Sequence, residues 1–151
     1  MSVVRELIEL DLPPERAFEL WTDIRRWGTF IDDFAHAERI DETWPRAGAK
    51  LVWKSKPHGR GEVTEKVIDS EPPRLLRTMH VEERLNGTQT VSFEPDRSGG
   101  AIFELELEYQ LSQSRALGRI TDFLFIRRAV RDSLARTCRR FAAEAAEEAR
   151  L

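Results

Sequence analysis

"AIFELELEY", residues Ala101 to Tyr109, decides how the rest of the chain is read. Phe103, Leu105, Leu107 and Tyr109 fall at alternate positions, with Glu104, Glu106 and Glu108 between them. Successive side chains of a strand point to opposite faces, so this segment has one dry face and one wet face. The dry face needs a cover.

The C-terminal segment supplies it. From about Ala116 to Glu148 there is no proline, and no glycine after Gly118. Phe123, Val130, Leu134, Cys138, Phe141 and Ala145 recur at helical spacing, while Arg128, Arg131, Arg136, Arg139 and Glu147 lie off that stripe. A long amphipathic helix is therefore predicted to pack on the sheet.

Upstream, "HAERIDE", "KLVWKSK", "RGEVTEKVID", "RLLRTMHVEE" and "TQTVSFEP" read as strands. They are punctuated by Pro45 and Gly48, Pro57 and Gly59, Pro72-Pro73, Asn86-Gly87 and Ser98-Gly99-Gly100. Val3 to Leu10 adds a first strand, with Glu6 interrupting the alternation of Val4, Ile8 and Leu10. About seven strands suit an antiparallel sheet. Between the first strand and the others, "PPERAFELWTDIRRWGTF" predicts two short helices. One follows the prolines, with Phe18 and Trp21 on one side; the other starts near Asp23, an N-cap type, and carries Trp27, Gly28 and Phe30.

Hairpin geometry then sets which side chains share the dry face. A turn at Leu85-Asn86-Gly87 pairs Phe93 with Met79 and Val91 with Val81, leaving His80 outside. A turn at Arg97-Ser98-Gly99 pairs Phe93 with Phe103 and Val91 with Leu105. Carried back across Pro72-Pro73, the pattern pairs Met79 with Val63, Leu75 with Val67 and Arg77 with Glu65. Glu65 and Arg77 are thus predicted to meet on the apolar side, either as a structural pair or facing a partly wet cavity.

Residues 1–151 match the length of a single α+β domain. A hydrophobic share of 40% beside 34% charged residues argues against disorder, and no apolar run approaches the roughly 20 residues a bilayer demands. "MSVVRELIEL" lacks the pattern of a signal peptide, which gives the expectation of a cytoplasmic protein. The net charge of -3 supplies no global attraction to nucleic acid, so no DNA partner is expected. The one cysteine, Cys138, excludes an internal disulfide and reads as a small hydrophobe on the helix stripe.

The order strand, two short helices, six strands, long helix resembles the START-like helix-grip (SRPBCC) superfamily, and within it the polyketide cyclase/dehydrase and lipid-transport branch. "LDLPPERAFELWTDIRRWGTF", "AGAKLVWKS", "GRGEVTEKVIDSEPPRLLR" and "FELELEY" carry the resemblance, which spans nearly the whole chain. It implies a curved seven-stranded antiparallel sheet wrapped around the C-terminal helix, with a deep apolar cavity between them. Its mouth would be edged by the short helices, placing Trp21, Trp27 and Phe30 at the cavity entrance.

Few residues carry a chemical signature of their own. His36, His58 and His80 lack zinc spacing and read as solvated or turn residues, so no metal and no cofactor are expected. No Gly-x-Ser-x-Gly elbow occurs, and "HGRGEV" joins two strands, without the helix amino end a phosphate-cradling loop needs. Arg115, Arg119, Arg127, Arg128, Arg131, Arg136, Arg139 and Arg140 read as a solvated face with local pairing, or as a weak contact to an anionic surface.

The function expected first is binding of a hydrophobic or aromatic small molecule, lipid or polyketide-like. Trp53, Glu65, Arg77, Met79, Phe93, Phe103, Leu105, Tyr109, Phe123 and Arg127 are the expected lining. Two alternatives stay open: a cyclase/dehydrase enzyme acting by confinement and modest acid–base help, and a protein-interaction module such as a ribosome- or chaperone-associated factor.

Overall fold

The computed structural model describes residues 1–112 and 120–151, with side chains of the last helix described from Phe123 onward. The sequence positions Arg115, Ala116, Gly118 and Arg119 lie outside the described residues. β1 (Ser2–Leu10) leads into α1 (Pro14–Thr22), a 3-10 turn (Ile24–Arg26) and α2 (Trp27–Phe30). Six strands follow: β2 (Phe34–Ile40), β3 (Lys50–Ser55), β4 (Glu62–Glu71), β5 (Leu75–Val81), β6 (Leu85–Pro95) and β7 (Ala101–Leu111). The last element is α3 (Ile120–Ala149). All neighbouring strands are antiparallel, in the order β1-β7-β6-β5-β4-β3-β2, the expected α+β helix-grip.

Local chemistry sets the helix ends. α1 begins at paired prolines, tolerated because a first-turn N–H has no helical partner to lose. Asp23 ends it, and its carboxylate accepts from the Arg25 backbone N–H at 3.2 Å to start the 3-10 turn. The indole N–H of Trp27 donates to the Trp21 carbonyl at 2.7 Å, folding α2 back on α1.

That fold-back closes one end of the core. Trp21 lies 5.1 Å from Phe141 and 5.2 Å from Phe103 between ring centres, and Phe30 lies 5.0 Å from Phe141. Arg26 donates to Glu144 at 2.9 Å and Glu148 at 2.6 Å, pinning the short helices to the end of α3. The buried stripe of α3 runs Ile126, Val130, Leu134, Cys138, Phe141 and Ala145. Phe123, expected on it, is 40% exposed.

The register between β6 and β7 is the expected one, with Phe93 opposite Phe103 and Val91 opposite Leu105. Between β5 and β6 it is not: Val91 faces Leu76, and Gly87 faces His80. The chain reverses earlier, where the Glu82 N–H donates to the Leu85 carbonyl at 3.0 Å, so Asn86-Gly87 lies within β6. Gly87 answers a different need. A Cβ there would sit 2.1 Å from the Glu108 carbonyl oxygen, so the glycine permits close approach between strands and does not mark a turn.

The shift is odd, so it turns every β5 side chain over. Leu76, Thr78 and His80 point inward, while Met79 and Val81 are about half exposed on the outer face. In β4 and β5, Glu65 faces His80 and Val67 faces Thr78; the expected pairs Met79 with Val63, Leu75 with Val67 and Arg77 with Glu65 do not form. Arg77 instead lies outside, donating to Thr90 Oγ1 at 3.1 Å with Asp69 at 3.7 Å.

Candidate functional site

Turning β5 over places a polar island on the inner face. Glu65, Thr78, His80 and Gln89 lie on adjoining strands, with Glu82 just beyond the end of β5. Glu65 accepts from the Trp53 indole N–H at 2.9 Å and the Thr78 hydroxyl at 3.2 Å. These donors stabilise a carboxylate that is only 3% exposed.

His80 Nε2 lies 3.1 Å from Glu82 Oε2, both side chains being almost wholly buried. Arg84 donates to the other oxygen of Glu82 at 3.2 Å, and Arg60 stands 3.9 Å away. Burial pushes the Glu82 carboxyl up, but the His80 hydrogen bond and the Arg60, His80 and Arg84 charges outweigh it and hold it below the usual carboxylate range. An ionised carboxylate only accepts, so Nε2 carries the proton towards Glu82. The other ring nitrogen, Nδ1, is then left over. Nδ1 is buried and has no hydrogen-bond partner among the described residues.

α3 closes the island from above. Arg60 donates to Ser133 Oγ at 2.7 Å, and its guanidinium lies 5.5 Å from the Trp53 ring centre. Ser133 donates to Asp32 at 2.7 Å, Arg136 grips the same carboxylate with two bonds of 3.0 Å, and Arg140 adds one of 3.1 Å. Burial raises the Asp32 carboxyl, yet the Arg136 and Ser133 hydrogen bonds and the Arg136 and Arg60 charges hold it low. The Asp32 N–H donates to Thr137 Oγ1 at 2.9 Å.

The space around these groups differs from the deep apolar cavity expected. Two interior voids of about 20 Å³ and about 10 Å³ border His80, Arg60, Gln89 and Leu134. Each has about the room of one water. Outside them, between Asp32-Asp33, the loop at Lys56 to Arg60, Arg84 and α3, a mouth of about 310 Å³ opens.

The expected site residues separate into groups. Trp53 and Glu65 join the polar island, and Leu105 borders the smaller void. Phe93 and Phe103 pack ring to ring at 5.2 Å in the core. Trp21, Trp27 and Phe30 are buried in the closed aromatic end, with exposures of 2%, 1% and 0%, where Trp21 also touches the smaller void. Tyr109, Phe123 and Arg127 come together elsewhere, lining an open hollow of about 780 Å³ with Met1 and Leu111. Met79 and Arg77 lie outside the grip, for the register reason above.

Sequence reasoning missed Asp32, Arg60, His80, Glu82, Ser133 and Thr137. Two signals were there. His80 and Glu82 are two apart, the spacing of one strand face, and Ser133, Arg136, Thr137 and Arg140 form a polar stripe at helical spacing beside the apolar one.

A family model described as polyketide cyclase / dehydrase and lipid transport matches residues 1–146. No curated protein matches the sequence. Among solved structures, the di-domain ARO/CYC StfQ of the steffimycin biosynthetic pathway is similar, with TM-score 0.77 and 16% identity over 99% of this chain and 52% of that one. A conserved protein from Geobacillus kaustophilus aligns with TM-score 0.72 and 13% identity, over 97% of this chain and 96% of that one. A Thalictrum norcoclaurine synthase point mutant, solved with a transition-state analogue, aligns with TM-score 0.66 and 13% identity, over 97% and 95%. At these identities the structural likeness is one of fold.

Proposed function

The chain belongs to the polyketide cyclase / dehydrase and lipid transport family, and from that premise we propose that it binds a compact, largely apolar or aromatic molecule bearing a hydroxyl or carbonyl, held between the sheet and α3 beside His80. One observation carries this reading: Nδ1 of His80 is buried and unpartnered among the described residues. A buried polar atom left unpaired costs about 1–3 kcal/mol, a cost that a ligand hydroxyl or a bridging water removes. Trp53, Leu105 and Leu134 supply apolar wall around the smaller void. Because each void holds about one water, the ligand displaces that water and moves Arg60, the residue common to the mouth and both voids.

Titration with 1-naphthol, read by its own fluorescence, tests the reading. Saturable binding is expected for the wild type, weakened about tenfold in His80→Phe, the loss of roughly one buried hydrogen bond. Equal affinity in the two would remove His80 from the site, and no saturable binding in the wild type would end the reading.

A specific observation also favours a second reading, chemistry of the cyclase/dehydrase type. Glu82, held ionised, accepts from Nε2 and so orients the His80 ring with Nδ1 turned away from it. Nδ1 then takes the proton from the carbon beside a ligand carbonyl as electrons move into that carbonyl, and returns it to a departing hydroxyl, which leaves as water. In heavy water, 2-acetonaphthone is expected to exchange its methyl protons faster with the wild type than with His80→Phe. Equal exchange rates would rule this chemistry out.

A further inference from the structure

We propose that the mouth above Arg60 is a receptor for a phosphate monoester, so that the molecule held beside His80 carries, or is delivered with, a dianionic phosphate on its outer end. The inference rests on the reading of the inner site given above and deepens it.

The charge balance of the mouth points to the anion. Lys56, Arg60, Arg84, Arg136 and Arg140 line it, against Asp32 and Asp33 on its wall and Glu82 behind Arg60 and Arg84. Five cations against these three carboxylates, with Asp132 acting on Arg136 as a fourth, leave a positive surplus in a recess of about 310 Å³. His58 borders the same space.

The carboxylates are already committed. Asp32 accepts from Ser133, Arg136 and Arg140, so it positions two guanidinium groups while neutralising only one charge. The Arg136 and Arg140 side chains remain 43% and 49% exposed, with donors left for a ligand. Asp33 holds the opposite lip: its carbonyl accepts from the Lys56 N–H at 2.8 Å, and its carboxylate from the Arg60 N–H at 3.1 Å. The loop is moulded on that carboxylate, since a Cβ on Gly59 would lie 1.7 Å from Asp33 Oδ2. Both lips are thus prepositioned, and preorganised donors lose little on binding.

Charge and shape select the ligand class. A phosphate monoester carries about −1.5 to −2 near neutral pH and offers three oxygens to the exposed Lys56, Arg136 and Arg140, where a carboxylate offers one charge and two oxygens. Guanidinium groups grip phosphate oxygens in pairs. Recognition is by side chains, in keeping with a "HGRGEV" loop that opens no helix. Arg60 ties this mouth to the inner voids, so the phosphate sits outward and the apolar body inward.

Three probes with one ring system test this on the full chain: 1-naphthol, 1-naphthoate and 1-naphthyl phosphate. Naphthyl phosphate is expected to bind at least about tenfold more tightly than naphthol, the worth of roughly one charge-assisted hydrogen bond, with naphthoate between them. Lys56→Gln, which alters an exposed side chain, should lose most of that preference while keeping its naphthol affinity. Naphthoate binding as well as naphthyl phosphate would overturn the phosphate assignment. Naphthol binding as well as either anion would overturn the anion receptor yet leave the inner site standing, and binding of no probe would overturn both. Preference for phosphatidic acid vesicles over naphthyl phosphate would overturn a soluble ester as the source.

Discussion

The two ends of the grip are built from the same sheet and the same helix, and they solve opposite problems. At one end Trp21, Phe30, Phe93, Phe103 and Phe141 interlock with centroid distances of 4.9 to 5.5 Å where they touch, and of these five Trp21 alone borders the smaller void. At the other end Arg60, His80, Glu82 and Ser133 are each 8% exposed or less, held by one another and by Asp32. Aromatic packing stabilises through buried area and contact. Burying several charges together rarely adds net stability compared with apolar side chains of similar volume. A fold that needed only to stand would have extended the aromatic end, so the polar end is where function is to be sought.

The sharpest way to break the comparison is Trp21→Ala. Loss of a fully buried indole from the interlocked cluster should cost about 3–5 kcal/mol in chemical denaturation. A loss below about 2 kcal/mol would mean the aromatic end is not the stabilising one.

Glu82→Gln comes next. It leaves Arg60 and Arg84 facing each other without their shared carboxylate, and roughly 2–3 kcal/mol of stability should be lost, less than for a wholly enclosed pair because Arg84 is partly open. Glu82→Gln with no loss would show that solvent already screens the polar end.

The acid limb of the stability profile sharpens this further. Folded Glu82 and Asp32 both titrate below their unfolded values, so their contribution is complete above the ordinary carboxylate range. It fades as pH falls through the folded values, below about pH 4. Glu82→Gln and Asp32→Asn should each flatten the wild type's loss of stability on acidification, whereas Trp21→Ala should lower the whole curve without changing its slope. Parallel acid limbs in all four proteins would sink the assignment.

The smallest effect belongs to Met79→Lys, expected within about 0.5 kcal/mol of wild type because the side chain stands on the outer face. A large loss would restore the register in which Met79 points inward.

Strand β5 is where sequence reading and structure part. In "LLRTMHV" one alternation offers Leu75, Met79 and Val81, the other only Leu76 with Thr78 and His80. Hydrophobic count chooses the first; the molecule buries the second, and of the first only Leu75. Asn86-Gly87 points the same way, because one dipeptide serves both as a turn and as a site of close approach, and only the neighbouring strand distinguishes them.

The layer order and the dry face of β7 were legible in the sequence, because the alternation in Ala101 to Tyr109 and the helical stripe from Val130 to Ala145 are local periodicities that any cover must match. The register of β6 on β7 followed from them. Only the tertiary structure decided which face of β5 is inside, and with it the site. Burying His80, Glu82 and Arg60 requires partners distant along the chain: Ser133 is 73 residues from Arg60 and 101 from Asp32. Local spacing marks the polar stripe on the last helix but not which distant residue each member of it meets. A polar residue reads as a surface residue until the fold brings its counterpart within hydrogen-bond reach.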